Sequence, residues 1–159
     1  MSNLVNIHAT GLVLGKHGVI LRGPSGAGKS LLALELLAQF EARGNKAMLV
    51  SDDRVDIEKQ GDGLIMHAPA HIAGLIELRG RGIVQRPHVG SAPLHLVVDF
   101  VDTLERMVEE EALFTELEGV RLARAPVPRR GVVDPLHQLL LVLEALRDLS
   151  VTQPRQKNA

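Results

Sequence analysis

Eight consecutive residues carry the clearest chemistry in this chain: Gly23, Pro24, Ser25, Gly26, Ala27, Gly28, Lys29 and Ser30. They satisfy the pattern G-x-x-x-x-G-K-[ST] at every fixed position. Glycines at 23, 26 and 28 permit positive φ and let a polyphosphate approach the backbone with no Cβ in the way. The amides so exposed, with the N-terminus of a following helix, form a cradle for an anion. Lys29 adds a compact positive charge for the outer phosphates, and the Ser30 hydroxyl is a hard oxygen suited to Mg²⁺. A glycine-rich turn that matched by accident would not need a buried strand before it and an apolar helix after it, and both patterns are present. The expected ligand is a nucleotide.

The second cluster is Asp52-Asp53, which follows the apolar stretch 47–50. Ligands of open α/β sheets gather at the C-terminal ends of strands, so both carboxylates are expected to face the loop. Adjacent acids at a strand end point to opposite sides, which suits two different tasks. One could hold metal, directly or through water, while the other accepts a proton from an attacking hydroxyl. The competing reading, a solvated Asp-Asp turn, is disfavoured by the loop upstream. His67, His71, His88, His95 and His137 share no metal-ligand spacing and read as incidental, and Glu109-Glu110-Glu111 reads as a solvated face.

The elements that must position these residues are legible in outline. Residues 18–21 form a short buried strand ahead of the loop. Leu31, Leu32, Leu34, Leu36, Leu37 and Phe40 mark a helix that stops at Gly44. Residues 4–7 and 11–14 read as strands, with a turn at 15–18. Stretches 55–59 and 64–67 flank Gly61-Asp62-Gly63, a hairpin signal, and 94–100 reads as one strand. Asp134 is a cap and Pro135 a first helical residue, opening a helix through Leu136, Leu139, Leu140, Leu143 and Leu146. The expected class is α/β, a nucleotide-binding core with additional antiparallel strands. It makes one domain over 1–150, and the polar tail 151–159 is expected to fray.

Composition bounds the partners. The 18 basic against 19 acidic residues give no case for nonspecific nucleic-acid binding. The absence of cysteine excludes disulfides and thiolate metal sites, which suits a reducing cytoplasm. No stretch approaches a membrane span and the first residues lack a signal-peptide layout. With no Trp or Tyr and only Phe40, Phe100 and Phe114, the core must be aliphatic, and an adenine ring has few aromatic side chains to stack on.

Gly-Pro-Ser-Gly-Ala-Gly-Lys-Ser at 23–30 and Val-Ser-Asp-Asp-Arg-Val-Asp-Ile at 50–57 together resemble the catalytic domain of HPr kinase/phosphorylase. Ile-Glu-Leu-Arg-Gly-Arg-Gly-Ile-Val at 76–84 is similar to that family's second signature, Leu-Glu-Ile-Arg-Gly-x-Gly-Ile-Ile. The resemblance runs over roughly 8–146 and lacks the family's usual N-terminal domain, as in a truncated form. It implies an ATP- and Mg²⁺-dependent enzyme of carbon regulation in the phosphotransferase system. Such an enzyme moves the γ-phosphoryl of ATP to a serine of the phosphocarrier protein HPr, and removes it with inorganic phosphate, releasing pyrophosphate. By position, the resemblance makes Asp53 the catalytic acid and base, Lys29 the phosphate-loop lysine, and Ser30 and Glu77 magnesium ligands with Asp52 beside them. His8 and Arg106 correspond to active-site residues. Pro126, Val127, Pro128, Arg129, Arg130 and Gly131 correspond to a segment linked to dephosphorylation. It also implies a cytoplasmic protein, with homo-oligomers left open.

The chain departs from the family at several places. Leu31 stands where glutamate is usual, 85–91 replaces a longer glycine-containing loop, and 129–134 lacks a Gly-Arg-Asn ending. These departures bear on HPr recognition and on the reverse reaction more than on the kinase. Two other classes fit the phosphate loop. One is a small-molecule kinase with Arg79, Arg81 and Arg86 in a lid, and the other is a nucleotide-sensing regulator without catalysis.

Overall fold

A computed structural model describes residues 3–70 and 72–158, the last seven of them by backbone alone. The order of elements is β1 (Leu4–Ile7), β2 (Ala9–Leu14), β3 (His17–Arg22), α1 (Lys29–Ala42), β4 (Ala47–Ser51), β5 (Val55–Gln60) and β6 (Gly63–His67). Then come β7 (Leu75–Leu78), β8 (Gly82–Gln85), β9 (Ser91–Leu94), β10 (Leu96–Val101), a 3₁₀ turn (Glu110–Leu113), β11 (Phe114–Leu117), β12 (Val120–Pro128) and α2 (Pro135–Asn158).

Six strands form a mixed sheet in the order β11-β12-β10-β3-β2-β4, four form the antiparallel sheet β1-β5-β6-β9, and β7 pairs with β8. β3, β10 and β12 run parallel, and β2, β4 and β11 are added antiparallel. Successive side chains of the central strands take opposite faces. Val19, Leu21, Leu96 and Val98 join α1 and α2 in one core. Ile20 and Val97 join Val55, Ile57, Leu64 and Met66 of the four-stranded sheet in another. The layers are helices, six strands, four strands. Cover on both faces is why β3 and β10 carry the apolar runs 19–21 and 96–98.

The stretch 94–100 is not one strand. His95 breaks it, leaving β9 in the smaller sheet and β10 in the larger. The amide of His95 donates to the Gly18 carbonyl (2.8 Å) and its Nδ1 accepts from the Gly18 amide (2.9 Å). A Cβ on Gly18 would lie 1.7 Å from the Pro93 carbonyl oxygen, so β9 can cross β3 only over a glycine. Gly18 is thus in the strand expected at 18–21, while His17, expected in the turn, belongs to β3 as well.

β12 has no counterpart in the expectations, because Pro126 and Pro128 interrupt its pattern. Its parity resolves the conflict. The Arg129 amide donates to the Val101 carbonyl (2.8 Å), so the even-numbered residues direct their nitrogens away from β10. On that side β11 has already ended, at the pair Phe114 and Ala123. The prolines therefore sit on the side of β12 that no strand pairs, where they cost no ladder bond. At α2 the cap is as expected, Asp134 Oδ1 accepting from the His137 amide (3.1 Å). The backbone stays helical past Val151 to Asn158, where fraying was expected. Among the described residues no helix is long and apolar enough to cross a membrane.

Candidate functional site

β3 delivers Gly23 to the C-terminal edge of the parallel strands, against Phe100, whose Cβ would lie 2.9 Å from a Cβ at 23. Gly26 (φ 86) and Gly28 (φ 102) occupy the left-handed region, and Gly28 caps α1. Only glycine adopts these angles without strain. The Ala27 amide donates to the Pro24 carbonyl (3.1 Å). Lys29 is buried, and its Nζ donates to the carbonyls of Gly23 (2.7 Å) and Pro24 (3.2 Å), bracing the loop from which it springs.

One residue further, Ser30 Oγ donates to Asp52 Oδ1 (2.9 Å). The same oxygen accepts from Thr10 Oγ1 (2.9 Å), a fully buried residue. Asp52 Oδ2 accepts from the backbone amide of Glu77 (3.4 Å), so the β7–β8 hairpin sets Glu77 next to Asp52. The Glu77 side chain is exposed, with Arg79 Nε 4.0 Å from its carboxylate. Ser30, Asp52 and Glu77 thus offer one hydroxyl and two carboxylates, all hard oxygens of the kind Mg²⁺ takes. Among the described residues no three His, Asp or Glu side chains gather as a metal cage.

Asp53 faces elsewhere. Its φ of 71 lies in the left-handed region, uncommon for a residue with a side chain though aspartate tolerates it. Its carbonyl accepts from the Ala9 amide (3.1 Å). Its exposed carboxylate can only accept, so His8 Nε2 donates to Oδ1, at 2.5 Å. The two carboxylates therefore have separate partners, Ser30 and Thr10 for Asp52 and His8 for Asp53, although the Asp53 amide also donates to Thr10 Oγ1 (3.4 Å).

The segment 126–131 reaches the loop from the far side. The Arg130 amide donates to the Ala27 carbonyl (3.2 Å), and Arg130 Cβ covers Gly28, 3.3 Å from where a Cβ there would be. Arg129 Nε donates to Asp102 Oδ1 (3.0 Å). Gln138 Nε2 holds the Pro128 carbonyl (2.9 Å), anchoring the segment to α2. Arg106 stands apart. It lines a cavity of about 820 Å³ between β12, α2 and the 103–114 stretch, whose walls include none of residues 8, 23–30, 52, 53 or 77.

Beneath the site lies a charged cluster with no sequence motif to announce it. Arg22 Nε and Nη2 donate to Asp99 Oδ1 and Oδ2 (2.8 and 2.9 Å), and Arg124 Nε donates to Oδ2 (2.6 Å). Burial alone would raise the Asp99 pKa, but the bonds and charges of Arg22 and Arg124 outweigh it and hold the carboxyl below its usual range. The bond to Asp99 raises Arg22 in turn. The cluster ties β3, β10 and β12 together just ahead of the loop. Of the histidines read as incidental, His67 pairs with Glu58 (2.7 Å), His88 Nδ1 meets the Arg86 carbonyl (3.4 Å) and His95 stacks edge-on against His17. His71 lies outside the described residues.

Sequence and structure comparisons identify relatives. The family described as the HPr serine kinase C-terminal domain matches residues 1–127. The HPr kinase/phosphorylase of Caldanaerobacter subterraneus is 36% identical over 150 residues, covering 89% of this chain and 45% of that protein. The HPr kinase/phosphorylase of Peptoclostridium acidaminophilum is 35% identical over 149 residues, with the same coverage, 89% and 45%. The chain thus spans about half the length of these curated relatives. The structure of the HPr(Ser) kinase/phosphatase from Coxiella burnetii superposes with a TM-score of 0.74 at 25% identity, covering 97% of this chain and 96% of that one.

Proposed function

Since this chain belongs to the HPr serine kinase C-terminal domain family, we propose that it is a cytoplasmic Mg²⁺- and ATP-dependent kinase acting on a serine of an HPr-like phosphocarrier. We extend the proposal to phosphorolysis of the seryl phosphate at the same site. The observation that carries the reading is the division of Asp52 and Asp53 at the end of β4, beside the glycine loop, one carboxylate on Ser30 and the other, exposed, on His8.

The loop 23–30 is read as a phosphate-binding loop, its amides and the start of α1 facing the nucleotide's phosphates. Lys29 would exchange the carbonyls of Gly23 and Pro24 for phosphate oxygens. Ser30, Asp52 and Glu77 would hold Mg²⁺, which when bound neutralises charge on the β- and γ-phosphates. Asp53, oriented by the His8 hydrogen bond, accepts the proton of the acceptor serine. The serine oxygen then bonds to the γ-phosphorus and the bond to the ADP oxygen breaks. In reverse, an oxygen of inorganic phosphate bonds to the seryl phosphorus and the serine–phosphorus bond breaks. Asp53 returns its proton to the serine oxygen and pyrophosphate leaves. Arg130, against Ala27 and Gly28, and Arg129, once free of Asp102, are the guanidiniums suited to the second phosphate.

The test is incubation with labelled ATP, Mg²⁺ and HPr. Label on an HPr serine supports the reading. Label on a small molecule instead favours a metabolite kinase, and nucleotide binding without transfer favours a sensor.

A further inference from the structure

Thr10 is a polar residue shut away from solvent, and it stands where the two acids of the site meet. It is 0% exposed, near the start of β2. Its Oγ1 donates to Asp52 Oδ1 (2.9 Å) and accepts from the Asp53 amide (3.4 Å). A shift in the ladder sets it there. β2 pairs with β4 as Leu14 to Ala47, Val13 to Met48 and Leu12 to Leu49. Gly11 then pairs with Ser51, so Val50 is the extra residue of a bulge. Continued without the shift, the ladder would bring Ala9 opposite Asp52. With it, Thr10 takes that place. Gly11 gives the displaced strand its room, since a Cβ there would lie 3.4 Å from Val50 Cβ and 3.2 Å from Met66 Sδ.

Lone pairs say what the hydroxyl does. Each oxygen of a carboxylate offers about two acceptor sites. Those of Asp52 Oδ1 are taken by Thr10 and Ser30, both at 2.9 Å, while Oδ2 has only the longer bond from the Glu77 amide (3.4 Å). Oδ1 is therefore closed to a cation, and Oδ2 is the oxygen left to receive one or its water. Without the Thr10 hydroxyl the carboxylate is free to turn about its own bond, and that choice is lost. The bond from the Asp53 amide is long for nitrogen and oxygen and so the weaker of the two, which makes the metal side the one that depends on Thr10. We propose that Thr10 is a positioning residue for the divalent cation: its buried hydroxyl fixes the Asp52 carboxylate and thereby sets the affinity of the site for Mg²⁺. The proposal rests on the reading of Ser30, Asp52 and Glu77 as the metal site.

Isosteric replacement tests it in the full chain. Thr10→Val keeps the shape and removes the hydroxyl, whereas Thr10→Ser keeps the hydroxyl. With the non-hydrolysable ATP analogue AMP-PNP present, Thr10→Val should weaken Mg²⁺ binding about 10–100-fold by calorimetry. Affinity for AMP-PNP in chelator should stay at the wild-type value, and Thr10→Ser should keep most of the Mg²⁺ affinity. In transfer to HPr, the loss in Thr10→Val should be recovered by raising Mg²⁺, with the KM for HPr unmoved. Added to Asp52→Asn, Thr10→Val should cost nothing more in Mg²⁺ affinity, because it acts through that carboxylate. Circular dichroism checks the fold, and Thr10→Ala repeats the titration if the Val side chain disturbs β2. Wild-type Mg²⁺ affinity in Thr10→Val, a Ser variant as weak as Val, an equal loss in chelator, or additive losses with Asp52→Asn would each overturn the proposal. A wild type that binds Mg²⁺ and AMP-PNP but never labels HPr would end the kinase reading alone, and the same titrations would still decide Thr10.

Discussion

The work proposed for Asp53 depends on a backbone angle as much as on a carboxylate. A φ of 71 turns it from the side of Asp52 toward His8, so two neighbouring acids can serve a metal and a proton separately. Asp53→Asn should lower phosphoryl transfer to HPr by about 10²–10⁴-fold while ATP affinity, measured by calorimetry, stays near wild type. A larger loss of transfer in Asp52→Asn with unchanged ATP affinity would reverse the assignments. Asp99 makes a different, structural prediction. Its folded pKa is depressed, so its contribution is present above the ordinary carboxylate value near 3.9 and is lost as pH falls through the folded value. Asp99→Ala strands Arg22 and Arg124 in a half-buried site and should cost on the order of 3–5 kcal/mol at neutral pH. The deficit should shrink in acid, and urea titrations at several pH values would measure both.

Among the elements, those whose signal is local were legible and those that depend on distant partners were not. The loop, α1, the hairpin of β5 and β6 and the cap of α2 follow from glycine, apolar spacing, turn chemistry and Asp134-Pro135, and the structure has them at those places. The break at His95 depends on Gly18, 77 residues away, and β12 depends on where β11 ends. Thr10 reaches Asp52 across 42 residues, and nothing in a threonine's neighbours betrays that. Arg106 and Lys29 could be named from sequence, but not the cavity one lines or the carbonyls the other holds. Two variants probe these elements. Gly18→Ala would drive a methyl into the Pro93 carbonyl and should cost at least about 1–3 kcal/mol, seen as a lower melting temperature. The segment at Arg130 touches the loop through its backbone, so Arg129→Ala with Arg130→Ala should keep the loop in place. It should depress pyrophosphate release from phosphorylated HPr more than phosphorylation of HPr. Equal losses in both directions would make the segment scaffold.

As a whole, the molecule is three layers whose ligand edge gathers residues from 8 to 130. Binding there should stiffen all layers together. Mg²⁺ and ATP at a hundredfold excess over Kd should add about 2.7 kcal/mol, a rise in melting temperature of roughly 5–10 °C for a chain of this size. A chelator should remove most of it, and an equal shift without Mg²⁺ would count against Ser30, Asp52 and Glu77 as ligands. The side of β12 that pairs with no strand bears on the fate of the molecule in a crowded solution. A sheet ending in free amides invites any extended chain to extend it, and assemblies so nucleated need not stop. Here the two positions that would offer those amides are Pro126 and Pro128, which have none to offer. An arriving strand finds no donor at two successive outward positions, so the sheet does not serve as a template for its own growth. The rings that obscured β12 in the sequence leave that side of the sheet without donors, and Gln138 of α2 holds the Pro128 carbonyl there.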